Sequence, residues 1–418
     1  MTARDGDMTQ TWDFLNLETR MEGNRIVAKA TGRLAPAVKP FVDRFFGVLN
    51  SLKVLAKKGE ANVYNLYNPP QPTAAGMRAL ERKVKELLFK TLYPATANLA
   101  VTHQCQCRCR HCSADPFVDP SREELSTDEL KTVIDGSLDL GANIVIFTGG
   151  EPTMRPDLAE LIAYVDKTKA MPVIFTNGQF LTEKKVAEFA KAGLGSINIS
   201  IDHVDAAKHN EYRKVPRLYE QAIEGGQRAM AAGILVGLST YATHDSLSDG
   251  SLEKLINVAI EKGFKEVTIF DCIPSGRFLK DTSLILTPED RRAIAALYDK
   301  YHEGDYPIGI VAQSKINSPE GAGCFGAFSQ FYMTAYGDIN PCDFNPVSFG
   351  NVRDLPVQVI WNKMISHPDF RAHHKTCRMQ TPEYRAKYID PLPEGTRLPV
   401  PIEVIDEMSA KRSQSARP

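Results

Sequence analysis

Tryptophan is scarce, with two in 418 residues, and net charge is nearly absent, because 50 Lys and Arg stand against 51 Asp and Glu. That balance leaves no global basic field for bulk nucleic-acid binding, and no nucleic-acid partner is expected. No apolar run approaches the roughly 18–20 residues that cross a bilayer. The opening MTARDGDMTQ lacks the basic-then-apolar order of a secretory signal, so the chain reads as cytoplasmic. Solenoid-type internal repeats are missing as well. What is left is a length that suits one large domain with one or two smaller units, at about 100–200 residues per domain.

Cysteine breaks this plainness. Of eight in the chain, four fall within the stretch THQCQCRCRHCSA, residues Thr102 to Ala114. Cys105, Cys109 and Cys112 stand in Cys-x3-Cys-x2-Cys spacing, with Cys107 between the first two. A disulfide framework belongs to short secreted chains, and structural zinc takes its ligands as two separated pairs. Three thiolates at this spacing can instead wrap one face of a [4Fe–4S] cube, leaving the fourth iron without a protein ligand. Cys107 reads as a buried thiol or a spare ligand. An oxygen-labile cluster would also suit a low-oxygen setting.

Around this stretch the pattern alternates short apolar runs with longer helical ones. Expected strands are 97–102, 143–147, 172–176, 196–201, 235–241 and 266–270. Expected helices lie at 126–140, 157–168, 183–192, 218–232 and 251–262, several opened by Ser, Thr or Asp caps. Six such alternations argue parallel β/α units with right-handed crossovers, too few for a closed eightfold barrel. The expected fold is therefore α/β, a partial (β/α)6 barrel over residues 96–305. A mainly helical extension precedes it at 1–95, and a small iron–sulfur unit with a tail follows at 306–418. Within the extension, residues 36–58 form a basic amphipathic helix. It either packs on the main domain or offers peripheral contact to a membrane or a greasy substrate.

In barrels of this kind function collects at the C-terminal ends of the strands. The cysteine loop follows the first strand, Thr148-Gly149-Gly150-Glu151-Pro152 the second, Thr176-Asn177-Gly178 the third, and Ser200-Ile201-Asp202 ends the fourth. Each alone is weak, since Gly-Gly or Asn-Gly after a strand is usually a turn. In this order they resemble the radical S-adenosylmethionine (SAM) superfamily. That resemblance implies a cluster held by Cys105, Cys109 and Cys112, whose open iron takes the amino and carboxylate groups of SAM. It implies reductive cleavage of SAM to a 5′-deoxyadenosyl radical, which abstracts hydrogen from an unactivated C–H of a substrate. Gly149, Gly150, Glu151 and Pro152 would cradle the methionyl end, with Glu151 accepting from its ammonium. His111 would lie beside the adenine, Ser200 and Asp202 near the ribose and carboxylate, and Arg213 on that carboxylate. Asn177 is a further cofactor contact or a plain turn residue. Flavodoxin or ferredoxin would supply the electron.

The last third carries a second signal. Cys324, then Gly337 and Cys342 in CFGAFSQFYMTAYGDINPC, followed by Cys377, resembles the SPASM/twitch extension behind many such barrels. Three cysteines after residue 300 support one auxiliary [4Fe–4S] cluster, in the shorter, twitch-like form. Its fourth ligand is His373, His374, Cys272 or Cys107, or the position stays open to substrate; alternatively the three are ordinary buried thiols. Pro274-Ser275-Gly276-Arg277 is expected to touch SAM or substrate, or to be a turn. The substrate is a small molecule, lipid-like or tetrapyrrole, or else a peptide, as in peptide maturases, which often begin with a small winged-helix or strand-rich leader-binding module; the mainly helical reading of residues 1–95 counts against the peptide. A non-catalytic electron carrier is the third reading, and a SAM cradle argues against it.

Overall fold

The computed structural model describes residues 8–12 and 15–415. At its N-terminal end, period-2 burial builds a small antiparallel sheet: β1 (Met8–Trp12), β2 (Leu15–Glu22) and β3 (Arg25–Thr31). Leu15, Leu17 and Thr19 turn inward on alternate positions of β2. The two-residue turn Gly23-Asn24 sets the register, with Glu22 opposite Arg25 and Gly23 at φ +64°. Helix α1 (Ala35–Ser51) lays Val38, Val42 and Phe46 on this sheet, and α2 (Ala74–Phe89), capped by Thr73, adds Met77, Leu80 and Val84. A short hairpin, β4 (Ala56–Lys58) with β5 (Ala61–Val63), lies between the helices. The expectation of a mainly helical extension is corrected here, since sheet shares the module with helix. The alternation in β2 and β3 is short and interrupted at Gly23, so the longer helical pattern after it dominates the sequence.

The main sheet is built from β6 (Thr96–Thr102), β7 (Ile144–Gly149), β8 (Met171–Thr176), β9 (Ser196–Ser200), β10 (Leu235–Ala242) and β11 (Glu266–Asp271). They pair in parallel and in chain order. Between them run α3 (Thr127–Asp139), α4 (Leu158–Tyr164), α5 (Glu183–Lys191), α6 (Ala206–Arg213), α7 (Leu218–Ala231), α8 (His244–Ser248) and α9 (Ser251–Glu261). Ser126 and Glu129 close a capping box on α3. The main core lies between sheet and helices, for example Val145, Phe147, Ile197 and Ile199 against Leu130, Ile134 and Ala222. A smaller cluster of Ile144, Ile146, Met171 and Val173 faces the lumen. The expected partial (β/α)6 barrel is present.

The sheet does not stop at six strands. After α10 (Pro288–Glu303), β12 (Gly309–Ala312) pairs in parallel with β11, so the boundary expected after residue 305 cuts through the sheet. At the other edge, β13 (Gln330–Met333) pairs in parallel with β6 and antiparallel with β14 (Ile339–Asn340). The nine-stranded order is β12-β11-β10-β9-β8-β7-β6-β13-β14.

The amphipathic helix is packed rather than presented. Its apolar stripe is spent on β2, β3 and α2. Lys53, just beyond it, donates to the carbonyls of Tyr301, Gly304 and Tyr306 at 2.9 Å each, neutralising the C-terminal end of α10. Among the described residues no helix is long and apolar enough to cross a membrane.

Candidate active site at the barrel mouth

The cysteine loop leaves the end of β6 and is gripped on three sides. From the β7 side, Gly150 N–H donates to Thr102 O at 2.7 Å and Glu151 N–H to Gln104 O at 2.8 Å. The approach leaves no room for side chains: a Cβ on Gly149 (φ +133°) would sit 2.1 Å from Thr102 O, and one on Gly150 2.3 Å from Gln104 O. These glycines therefore serve contact between two loops, whatever else they face. From α6, the carbonyls of Arg213 and Tyr212 accept from Arg108 N–H and Arg110 N–H at 3.1 and 3.2 Å. The third grip comes from the loop after β11. Arg277 N–H donates to Cys112 O at 3.2 Å, and its guanidinium to Arg108 O, Cys109 O and the Asp115 carboxylate. Pro274–Arg277, expected to touch cofactor or be a turn, is thus a latch on the cysteine loop.

The polar side chains inside this frame are arranged tightly. Glu151 is 1% exposed, and its carboxylate accepts from Thr153 N–H, Thr153 Oγ1, Thr176 Oγ1 and Asn177 N–H. Burial raises its pKa and those bonds pull it back, so the residue ties the loops after β7 and β8 together. Pro152 opens the short 3-10 turn that follows. Asn177 reaches Cys107 Sγ with its Nδ2 at 3.5 Å. Ser200 Oγ lies 3.2 Å from Ser239 Oγ. Asp202 and Arg213 form a buried two-pronged pair, Nε to Oδ2 at 2.7 Å and Nη2 to Oδ1 at 2.8 Å. The fork that the resemblance reserves for a SAM carboxylate is closed on Asp202 here. Against the desolvation that would raise it, the Arg213 charge holds the Asp202 carboxyl well below the usual range. The His111 ring packs at a tilt against Tyr241, with centroids 4.2 Å apart, and its Nε2 lies 3.8 Å from Asp202 Oδ1. Burial lowers its pKa to about 4, so the ring is neutral, and its Nδ1 is buried without a hydrogen-bond partner.

The Cys107 thiol interacts with those of both Cys105 and Cys109, so it shares their space although it is not one of the expected ligands. The Cys107 hydrogen bond, with the Arg213 charge behind it, brings Cys109 down to about 7, whereas burial pushes Cys112 up to about 11. Farther along the chain, Cys324, Cys342 and Cys377 have come together closely enough for their charges to interact. Burial raises both Cys342 and Cys377. Asp343, beside Cys342, is held up to about 6 by burial. Among the proposed fourth ligands, His373 stacks on Phe328 at 4.0 Å and the His374 Nδ1 lies 2.7 Å from Thr376 O. Cys272 sits at the mouth after β11, and Cys107 belongs to the barrel loop.

Among the described residues no three His, Cys, Asp or Glu side chains converge on a single metal ion. A cluster fits: soft thiols on one loop, with the Arg277 guanidinium on the loop's carbonyls and the Arg213 charge near Cys109, and a buried imidazole nitrogen of His111 left without a partner beside Cys112. A radical SAM superfamily profile matches residues 99–259, and the SPASM iron–sulfur cluster-binding domain matches 324–380. The chain is 30% identical over 343 residues to the AdoMet-dependent heme synthase of Nitratidesulfovibrio vulgaris Hildenborough, covering 73% of this chain and 90% of that one. It belongs to the radical SAM superfamily. With the Fe-coproporphyrin III synthase of Methanosarcina barkeri Fusaro it shares 25% identity, over 69% of this chain and 80% of the relative. Streptococcus suis SuiB bound to its precursor peptide SuiA superposes with a TM-score of 0.56 at 15% identity, covering 85% and 87% of the two chains, which shows a shared fold. As a radical SAM enzyme with a SPASM domain, the protein uses a [4Fe–4S] cluster with SAM, together with auxiliary iron–sulfur chemistry.

Sequence reasoning singled out Pro274–Arg277 but not its hold on the cysteine loop, for which a Gly-Arg pair after a barrel strand is a usable cue. Tyr67 escaped it, because it lies in a segment that carries no site motif.

Proposed function

We propose that this radical SAM enzyme removes hydrogen from an unactivated C–H of a tetrapyrrole. The similarity to a heme synthase carries the reading, because it extends over 90% of that relative rather than over the shared barrel alone. When bound, the cluster and SAM supply one-electron reductive cleavage and hydrogen-atom removal. Cys105, Cys109 and Cys112 are the cluster ligands in this proposal. His111, Gly149–Pro152, Asn177, Ser200, Asp202 and Arg213 surround SAM, and Cys324, Cys342 and Cys377 hold the auxiliary cluster. Arg213 acts there through Asp202, fixing its carboxylate as an acceptor. Flavodoxin or ferredoxin is the electron donor.

A peptide substrate is the second reading, and one observation favours it. The N-terminal module carries the three-stranded sheet β1–β3, in the part of the chain where peptide maturases carry a strand-rich leader-binding unit. The deciding experiment is anaerobic reconstitution with dithionite, SAM and iron coproporphyrin III, with 5′-deoxyadenosine and porphyrin products followed together. Substrate-dependent 5′-deoxyadenosine with a porphyrin mass change is expected. Formation of 5′-deoxyadenosine that ignores the porphyrin would overturn the tetrapyrrole reading, and none under any condition would overturn SAM cleavage itself.

A further inference from the structure

Asn62 and Gln71 exchange backbone hydrogen bonds at 2.7 and 2.8 Å, closing a loop over residues 63–70. That loop is threaded into the barrel from the N-terminal ends of its strands. Leu66 N–H donates to Glu266 Oε2 at 3.0 Å, and Ser196 Oγ donates to Leu66 O at 2.9 Å; these acidic and hydroxyl residues are the first of β11 and β9. Tyr67 reaches farther up the lumen, where its hydroxyl donates to Thr268 Oγ1 at 2.8 Å.

From Tyr67 a row of rings crosses the lumen. Its ring centroid is 5.8 Å from that of Phe175, Phe175 is 6.3 Å from Phe270, and Phe270 is 6.3 Å from Phe344. The four come from the N-terminal segment, β8, β11 and the stretch after Cys342. Two strands separate β8 from β11 in the sheet, so the Phe175–Phe270 contact spans the interior. All four rings are partly exposed, whereas the neighbouring lumen residues Ile146 and Val173 are 5% and 0% exposed. Phe175 and Phe270 each stand one place before the end of their strand, so the row lies directly beneath the mouth.

We infer that Tyr67 is a specificity-determining wall of the substrate chamber, and that the shelf it completes with Phe175, Phe270 and Phe344 receives the flat face of a conjugated macrocycle. The inference rests on the tetrapyrrole reading above. Partly exposed aromatic rings at this spacing offer an apolar surface suited to offset stacking, and enclosed aromatic walls are the usual lining of small-molecule sites. The segment ahead of the cysteine motif thereby contributes to substrate choice directly.

The test uses the full-length reconstituted protein, with iron coproporphyrin III as probe and its absorbance shift as readout. Tyr67→Ala is expected to weaken binding tenfold or more and to raise KM more than it lowers kcat. Tyr67→Phe keeps the ring and loses only the bond to Thr268, and should bind within about twofold of wild type. Phe344→Leu, on a different segment, should show a loss like that of Tyr67→Ala, so the shelf stays testable if Tyr67→Ala folds poorly. Wild-type affinity in both Tyr67→Ala and Phe344→Leu overturns the inference and leaves the tetrapyrrole reading standing. Tyr67→Phe as weak as Tyr67→Ala also overturns it, because the hydroxyl rather than the ring would then matter. No binding by the wild-type protein overturns both.

Discussion

Glu266 shows how a single buried carboxyl can govern pH behaviour. It is 1% exposed and desolvation raises it to about 8, against a reference value near 4.3, with only Leu66 N–H pulling the other way. Between those values the folded state holds a proton that the unfolded state has released, so stability is drained as pH rises through that window. Of the wild-type change in urea-unfolding stability between pH 5 and pH 8, a loss on the order of a few kcal/mol is therefore due to Glu266 and should be missing from Glu266→Gln; equal slopes in the two proteins would mean the carboxyl is already ionised. Cys107 poses a question of identity. Cys105→Ala, Cys109→Ala and Cys112→Ala should each abolish SAM cleavage, while Cys107→Ala should retain most of it; the reverse for Cys105 and Cys107 would reassign the ligands. The residue types of the site were legible because cluster chemistry demands cysteines at fixed spacing. Their pairings were not, since the Asp202–Arg213 clasp joins positions whose meeting depends on how α6 folds back.

At the level of elements, the six barrel strands were readable to within a residue or two, because each is buried on both faces and bounded by turn residues. Helices with caps such as Ser126 and Thr182 were read as well, whereas α6, α8 and α10 were not, and α4 stops at Tyr164, short of the expected 168. The N-terminal sheet was not read, because a strand pair joined by Gly23-Asn24 gives only a few alternating positions. The loop after β11 carries the sharpest test at this scale. Gly276 has φ +56°, and a Cβ there would fall 2.0 Å from Cys112 O and 2.5 Å from Ser113 Cα, backbone that cannot swing aside. Gly276→Ala should leave the circular dichroism spectrum near wild type while sharply lowering the iron retained after reconstitution. Normal iron content would show that the cysteine loop tolerates release of the latch.

For the whole molecule, the number of clusters is the decisive quantity. Binding at both cysteine groups predicts about eight irons per chain, twice the four of one cube. The Cys324→Ala, Cys342→Ala, Cys377→Ala triple variant should fall to half that and keep SAM cleavage; about four irons in the intact protein would reduce the later three to structural thiols. The units were legible, yet the boundary between them was not, because β12, β13 and β14 are short strands that only tertiary pairing reveals. The place of β13 has a temporal consequence. It flanks β6, and Asn98 Nδ2 bonds Phe331 O at 3.2 Å across 233 positions of sequence. On the ribosome, at about 5–20 residues per second, the strand that launches the cysteine loop waits roughly ten seconds or longer for its second neighbour. Its edge stays open for that interval. Chains truncated before residue 330 should therefore retain less iron at the barrel cysteines after reconstitution than the full chain, and equal retention would show that β6 holds its loop without β13.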